Sequence, residues 1–380
     1  MLEFIYFLSA AVIAYTYFGY PLLLFVFQFI AYSPVKKGDK TPFVTVFISA
    51  YNEASYIETK VLNLLESDYP KDRMEIMVGS DGSTDETYQI IKRLAAEKNI
   101  RYTVSFARMG KPAMINKMSK DAKGDIYVFS DARQKFERSA IRQLVRPFED
   151  ESVGCVSGEL MIAGKPQGSG SGLGLYWNYE KSLRRMESNI GSMLGATGAI
   201  YAVRKEYFHY LPDVILDDVY APMCSVMMGK RAVFEPSARA YDDVSESTEK
   251  EFSRKVRTLA GNFQLFSMMP EYFLPNKSRV AFQMFSHKAL RLFAPYFLIL
   301  LFLSNIFLAG QSPFFMVSLI LQILFYTAAL IGHVAESRGN SFSGFWRLFS
   351  VPYEFCALNA AAIVAFYKFL SGNISVFWDK

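Results

Sequence analysis

Asp131 closes an apolar run, residues 126–130, that reads as a buried strand. A carboxylate there either faces a ligand at the strand end or caps the next turn. Two more apolar runs end the same way: residues 44–49 lead into Ala50-Tyr51-Asn52-Glu53, and residues 75–79 into Ser80-Asp81-Gly82-Ser83-Thr84-Asp85. In an open α/β sheet, three such strand ends would face one crevice. Ser83 and Asp85 suit a helix cap, whereas Asp81 precedes a flexible glycine and stands outside the cap. With Asn52 and Glu53 it offers carboxylate and amide groups able to hold the base and ribose of a nucleotide. Neither a Walker A pattern nor G-x-G-x-x-G is present to suggest ATP or a dinucleotide. A fourth acidic site, Asp217-Asp218, follows Ile215-Leu216. Helix starts attract acids through the helix dipole, so this pair suits a cap as well as a crevice.

These acids need elements to position them. Ser55-Tyr56-Ile57-Glu58 and Ser83-Thr84-Asp85-Glu86 are capping-box patterns, each followed by a helical stripe: Ile57, Val61, Leu64 and Leu65, then Ile90, Ile91 and Leu94. Residues 101–106 read as a strand, Gly110-Lys111-Pro112 as a helix start and 125–129 as the next strand. The alternation predicts a mostly parallel sheet with right-handed crossovers. Farther on come a strand at 153–159, a Gly/Ser-rich loop at 168–174, a helix from Tyr176 toward Glu187 and a strand at 198–203.

At 51% hydrophobic and 16% aromatic residues, the 380-residue chain is more apolar than a purely soluble protein. The excess lies in four nearly uncharged stretches, 4–31, 292–308, 314–331 and 356–366; a bilayer-crossing helix takes about 20 residues. The last is short and bracketed by Glu354 and Lys368, so it suits a span or a buried or interfacial helix. The first lacks a basic leader and exceeds a signal-peptide core, which reads as an uncleaved anchor. Lys36, Lys37 and Lys40 follow it, Lys277, Arg279, Lys288 and Arg291 precede the second stretch, and Arg338 and Arg347 separate the last two. This distribution places the amino terminus outside and the main domain in the cytosol. The expected organisation is a transmembrane helix at 1–33, a cytosolic α/β domain at 34–262, interfacial amphipathic helices at 263–287 and three transmembrane helices at 288–380. The net charge of +5 is modest, and its lysines and arginines cluster near membrane edges, which suits anionic lipids and not nucleic acid. Three cysteines give no disulfide framework, and His209, His287 and His333 are too scattered for a His-based zinc site or a compact triad.

Taken in order, Tyr51-Asn52-Glu53, Ser80-Asp81-Gly82-Ser83-Thr84-Asp85, Ser130-Asp131-Ala132, Gly195-Ala196-Thr197-Gly198, Asp217-Asp218 and Arg254-Lys255-Val256-Arg257 form a set that resembles glycosyltransferase family 2. The likeness is to its membrane-embedded branch, the hyaluronan, chitin, cellulose and poly-N-acetylglucosamine synthases, over residues 42–265 plus flanking helices. The resemblance implies an A-type glycosyltransferase fold, Rossmann-like with a mostly parallel sheet, and a nucleotide-sugar donor, usually UDP-linked. Tyr51, Asn52, Glu53 and Asp81 would hold the nucleoside, Lys111, Arg254 and Arg257 the diphosphate, and Asp131 a bridging Mg2+ or Mn2+ ion. Asp218 would deprotonate the acceptor hydroxyl with Asp217 in support, and Trp177, Gly195 and Thr197 would stand on the acceptor side.

Two departures stand out. Arg133 occupies the second acid of the family's D-x-D; an arginine cannot ligate a cation but can contact phosphate. The segment Arg254-Lys255-Val256-Arg257-Thr258 replaces Q-x-x-R-W without its glutamine and tryptophan, which in processive synthases help hold the chain end. The implied function is an inverting transferase elongating a glycan at the cytosolic face of a bacterial inner membrane, as in exopolysaccharide synthesis. Single-sugar transfer to a polyprenyl-phosphate or lipid-linked acceptor is the alternative, and a non-catalytic nucleotide-sugar-binding membrane protein a second one. Four spans are few for a polymer channel, so export would call for self-association or a partner chain.

Overall fold

The computed structural model describes the chain apart from residues 164–170, 214, 244–247, 339–343 and 374–380, so positions 168–170 of the Gly/Ser-rich loop lie outside the described residues. After the long first helix α1 (Leu2–Ile30), the chain runs β1 (Val44–Ala50), α2 (Ile57–Leu65), β2 (Met74–Asp81), α3 (Thr87–Lys98), β3 (Arg101–Ser105), α4 (Lys111–Ser119) and β4 (Ile126–Asp131). Then follow β5 (Lys135–Phe136), α5 (Ala140–Val145), β6 (Val153–Ala163), α6 (Ser171–Asn189), β7 (Ile200–Arg204), α7 (Asp217–Met227), β8 (Arg231–Asp243) and α8 (Thr248–Met268). Three long helices complete it: α9 (Ala281–Leu308), α10 (Pro313–Ser337) and α11 (Gly344–Leu370).

One sheet in the order β3-β2-β1-β4-β7-β6-β8-β5 organises the domain. The first four strands are parallel, as the strand–helix alternation predicts. The second half makes the sheet mixed: β7 runs antiparallel to both β4 and β6, while β6 and β8 pair parallel. Because Ile200 pairs with Ser130, the segment preceding β7 enters at the edge where β4 ends.

Period-two alternation explains the two cores. Val44, Val46 and Ile48 of β1 and Ile126 and Val128 of β4 face a cluster that takes in Ile57, Val61 and Leu64 of α2, Ile91 and Leu94 of α3, and Leu144 of α5. Phe47, Tyr127 and Phe129 face the other side, against Met114 and Met118 of α4 and Met223 and Val226 of α7. Each such side chain contributes about 1.5–3 kcal/mol by leaving water. The stripes are where the sequence puts them, but the caps are not. α2 begins without a side-chain cap, and Ser83 Oγ instead accepts from Asn52 N at 3.2 Å. α3 starts one turn late, where Asp85 Oδ1 accepts from Thr87 N at 3.0 Å.

α1, α9, α10 and α11 are each long and apolar enough to cross a bilayer. The fourth of these reaches 27 residues, well beyond the short run 356–366. Residues 263–287 comprise the end of α8, a 3₁₀ turn at Pro270–Phe273 and the start of α9. α8 joins the domain to the long helices through Val256, Ala260 and Phe263, which pack with Leu292, Ala361 and Ala365.

Gly79, in the middle of β2, lets α4 lie directly on the sheet: a Cβ there would stand 2.4 Å from Met114 Cγ. Gly79→Val should lower stability by about 1–3 kcal/mol through overpacking, seen as a reduced midpoint of thermal unfolding in detergent. An unchanged midpoint would mean that α4 does not rest on this strand.

Candidate active site

The parallel register brings the acids together. Ser49 pairs with Asp131 and Ala50 with Ser80, so the ends of β1, β2 and β4 form one edge. Two of its loops are stitched by side chains. Asn52, at φ +52°, accepts from Thr84 N through Oδ1 at 2.8 Å; asparagine tolerates this left-handed backbone better than most residues. Asp81 accepts from Met109 N at 2.7 Å and Gly110 N at 2.8 Å, so its carboxylate shapes the loop entering α4. Gly82, at φ +66°, completes that turn, where a Cβ would meet Arg108 N at 2.7 Å.

α4 therefore starts beside the strand edge, and its first residue, Lys111, reaches across it. Lys111 Nζ lies 2.9 Å from Asp131 Oδ1 and 3.2 Å from Asp217 Oδ2. Burial opposes the charge on Lys111, yet the two carboxylates outweigh that effect and raise its pKa above the ordinary value. Asp217 is further held by Tyr201, whose hydroxyl donates to Oδ2 at 2.7 Å. Tyr201 itself is fixed by a ladder of rings across the sheet, stacking on Phe129 at 4.5 Å, which stacks on Phe47 at 5.5 Å.

Asp218 completes this group of acids. Burial and the adjacent Asp217 raise its pKa to about 6, against the pull of Lys111. The Gly195–Gly198 loop wraps it: Ala196 N donates to its backbone carbonyl at 2.7 Å, and a Cβ on Gly198 would lie 2.9 Å from Asp218 Oδ2. Thr197 accepts from Arg184, and its amide donates to Ser157 Oγ at 2.9 Å.

A cavity of about 1730 Å3 opens from this edge toward the long helices. Asn52, Glu53, Lys111, Asp131, Asp217 and Asp218 line it together with Trp177, Gly195, Thr197, Arg254 and Arg257. Tyr51 and Asp81 are not among its lining residues: Arg108 covers the Tyr51 ring at 3.9 Å, and both Asp81 oxygens are taken by the loop amides. Arg133 lies 3.3 Å from Glu53 Oε2. On α8, Arg254 pairs with Glu251 at 3.3 Å, and Lys255 sits 4.8 Å above the Trp177 ring and 4.4 Å above Tyr176.

Among the described residues, no three His, Cys, Asp or Glu side chains gather to hold a metal, and Asp131 already shares one oxygen with Lys111. Magnesium-type ions often take one or two carboxylates plus substrate phosphates and water. Asp131 fits that role, as a lone protein ligand to an ion carried by a diphosphate.

Sequence reasoning missed a second group on the cavity wall. Glu180, Arg184 and Glu187, spaced four and three apart on α6, share one helical face. His287 Nδ1 lies 2.6 Å from Glu187 Oε1, which also accepts from Tyr20 of α1 at 2.7 Å. Arg291 of α9 pairs with Glu180. The spacing was legible; the partners, more than 100 residues away in Glu180–Arg291 and Glu187–Tyr20, were not.

The fold has counterparts among known proteins. A family model described as "Glycosyl transferase family 2" matches residues 45–211. Glycosyltransferase AglD of Haloferax volcanii is 38% identical over 106 residues, 27% of this chain and 17% of that protein. Poly-beta-1,6-N-acetyl-D-glucosamine synthase of Staphylococcus aureus is 24% identical over 260 residues, 66% of this chain and 62% of the synthase. The chain thus spans less than two thirds of the length of either relative. The solved structure of mannosyltransferase PcManGT from Pyrobaculum calidifontis, in complex with GDP-Man and Mn2+, superposes with a TM-score of 0.72 at 23% identity, over 97% of this chain and 99% of that one. The mixed sheet with its flanking apolar helices is an A-type glycosyltransferase fold, and its part from 45 to 211 is the stretch that matches the family 2 model.

Proposed function

We propose that this protein is an inverting glycosyltransferase that moves a sugar from a nucleotide-sugar donor onto a growing glycan at the cytosolic face of a membrane. The reading rests chiefly on Asp218: a carboxylate with a pKa near 6 shares one cavity with Asp131, Lys111 and Arg257. Asn52 and Glu53 stand at the nucleoside end, and the donor is UDP-linked on the family resemblance. The PcManGT complex holds GDP-Man, a nucleotide sugar with a different base.

The proposed chemistry is a single displacement. The acceptor hydroxyl oxygen forms a bond to the anomeric carbon from the face opposite the diphosphate, the bond from that carbon to the phosphate oxygen breaks, and the nucleoside diphosphate departs. Asp218 takes the hydroxyl proton; a base whose pKa lies just below the working pH is well matched to that transfer. Asp217, fixed by Tyr201 and Lys111, keeps Asp218 poised. Lys111, Arg254 and Arg257 place positive charge where the leaving group gains negative charge. A divalent ion held by Asp131 would supply Lewis-acid stabilisation of the same diphosphate. The four apolar helices and the flanking lysines and arginines support a membrane-bound enzyme with its domain inside the cell.

Asp218→Asn should reduce transfer about 10²–10⁴-fold while the donor dissociation constant stays near that of the parent protein; equal loss of both would make the residue structural. In the parent, kcat/KM should rise with pH through about 6 as Asp218 loses its proton. Asp217→Asn removes a neighbouring negative charge, lowers the pKa of Asp218 and should move that acid limb to lower pH; a limb that stays put would assign it to another group. Chelation with EDTA should suppress turnover, with recovery on adding Mn2+ or Mg2+, and full activity in chelator would exclude an essential ion.

A further inference from the structure

We infer that Arg184 is a positioning residue for the transfer: from α6 it holds the Gly195–Gly198 loop against Asp218 and supplies a cation near that acid in addition to Lys111. This rests on the transferase reading above, in which Asp218 is the base, and adds a residue to its machinery. The loop touches Asp218 at two points. Ala196 N donates to the Asp218 backbone carbonyl at 2.7 Å, and a Cβ on Gly198 would stand 2.9 Å from Asp218 Oδ2. Thr197, between them in sequence, is tied to α6 and β6: its hydroxyl accepts from Arg184 Nη1, and its amide donates to Ser157 Oγ at 2.9 Å. The residue that Arg184 grips therefore lies between the two that meet the base.

Arg184 has no ion pair of its own. Among the described residues its one hydrogen bond goes to Thr197, although Glu180 and Glu187 stand one turn away on the same face of α6. Those carboxylates are engaged elsewhere: Glu180 by Arg291 of α9, and Glu187 by His287 of α9 and Tyr20 of α1. The guanidinium lines the cavity, with its carbon 5.9 Å from the centre of the Phe234 ring on β8. A charge drawn out of bulk water without a close counter-ion is costly, and it acts over a longer range there than in solvent.

The acid within that range is Asp218. Burial opposes the charge on Arg184, while Glu180, Asp218 and Glu187 favour it. In return Arg184 favours the ionised form of Asp218, against burial, Asp217 and Asp131 and alongside Lys111. Tyr201 of β7, the remaining titratable group close by, is kept protonated by burial and by Asp217, so it brings no charge. An arginine that only packed α6 on β8 would be equally buried, but the proton affinity of Asp218 would not depend on it.

The test uses the full chain in detergent, with UDP-glucose, UDP-N-acetylglucosamine and GDP-mannose as donors and alkyl glycosides of glucose, mannose and N-acetylglucosamine as acceptors. Released nucleoside diphosphate is the readout. Arg184→Gln should lower kcat about 10–100-fold with the donor dissociation constant unchanged. It should also move the acid limb of kcat/KM to higher pH, because a neighbouring cation no longer favours the carboxylate. Arg184→Lys keeps the charge and should return the limb toward its place in the parent protein, with part of kcat recovered. Thr197→Val removes only the acceptor of the Arg184 bond and should lower kcat as well. A limb that stays put in Arg184→Gln, a loss of donor affinity equal to the loss of kcat, or an unchanged kcat in Thr197→Val would overturn the assignment and leave the transferase reading standing. Full activity in Asp218→Asn would instead remove the base on which the assignment rests, and no nucleoside diphosphate from any donor would overturn the transferase reading itself.

Discussion

One ammonium group holds the acidic strand edge together. Lys111 Nζ bridges Asp131, at the end of the parallel half of the sheet, and Asp217, at the start of α7. Without that charge, Asp131, Asp217 and Asp218 would be three carboxylates in one poorly solvated place, and mutual repulsion would drive protons onto them or push the loops apart. With it, Asp131 and Asp217 are tied to one positive centre, and the protonation equilibrium of the remaining acid falls where a base is useful. The bridge is also a joint in the chain, because it ties the end of β4 to the helix that follows the antiparallel strand β7.

Much of the rest serves to place that bridge. Asp81 holds the amides of Met109 and Gly110 and so aims the first residue of α4 across the edge. The stacked rings of Phe47, Phe129 and Tyr201 fix a hydroxyl against Asp217 from beneath. The Gly195–Gly198 loop closes over Asp218 so tightly that a methyl group at Gly198 would crowd its carboxylate. These contacts come from five separate segments, and each is ordinary alone.

The strand edge was legible in the sequence because two strong local signals coincide there: apolar runs of strand length and acids immediately after them. The antiparallel β7 was not, since nothing local tells a strand which neighbour it will join. Asp217-Asp218 was ambiguous for a physical reason. A helix dipole and a crevice that needs a general base both favour acids at a helix start, and the partners that draw Asp217 into the strand edge, Tyr201 and Lys111, are distant in sequence. Asp81 reads as a ligand group from its position, yet its oxygens turn to backbone amides 28 and 29 residues ahead. The wall formed by Glu180, Arg184 and Glu187 shows as a helical face, but its partners come from α1 and α9, and tertiary pairing of that kind leaves no periodic trace.

The contact between Tyr20, Glu187 and His287 bears on how the molecule can be handled. It joins the first helix, the sixth and the ninth at one buried carboxylate. Trimming the apolar leader to obtain a water-soluble fragment would strip the phenol from Glu187 and uncover Leu183, which packs on Tyr20 and Leu24. The sheet domain and the apolar helices are therefore packed as one body, to be expressed and purified together.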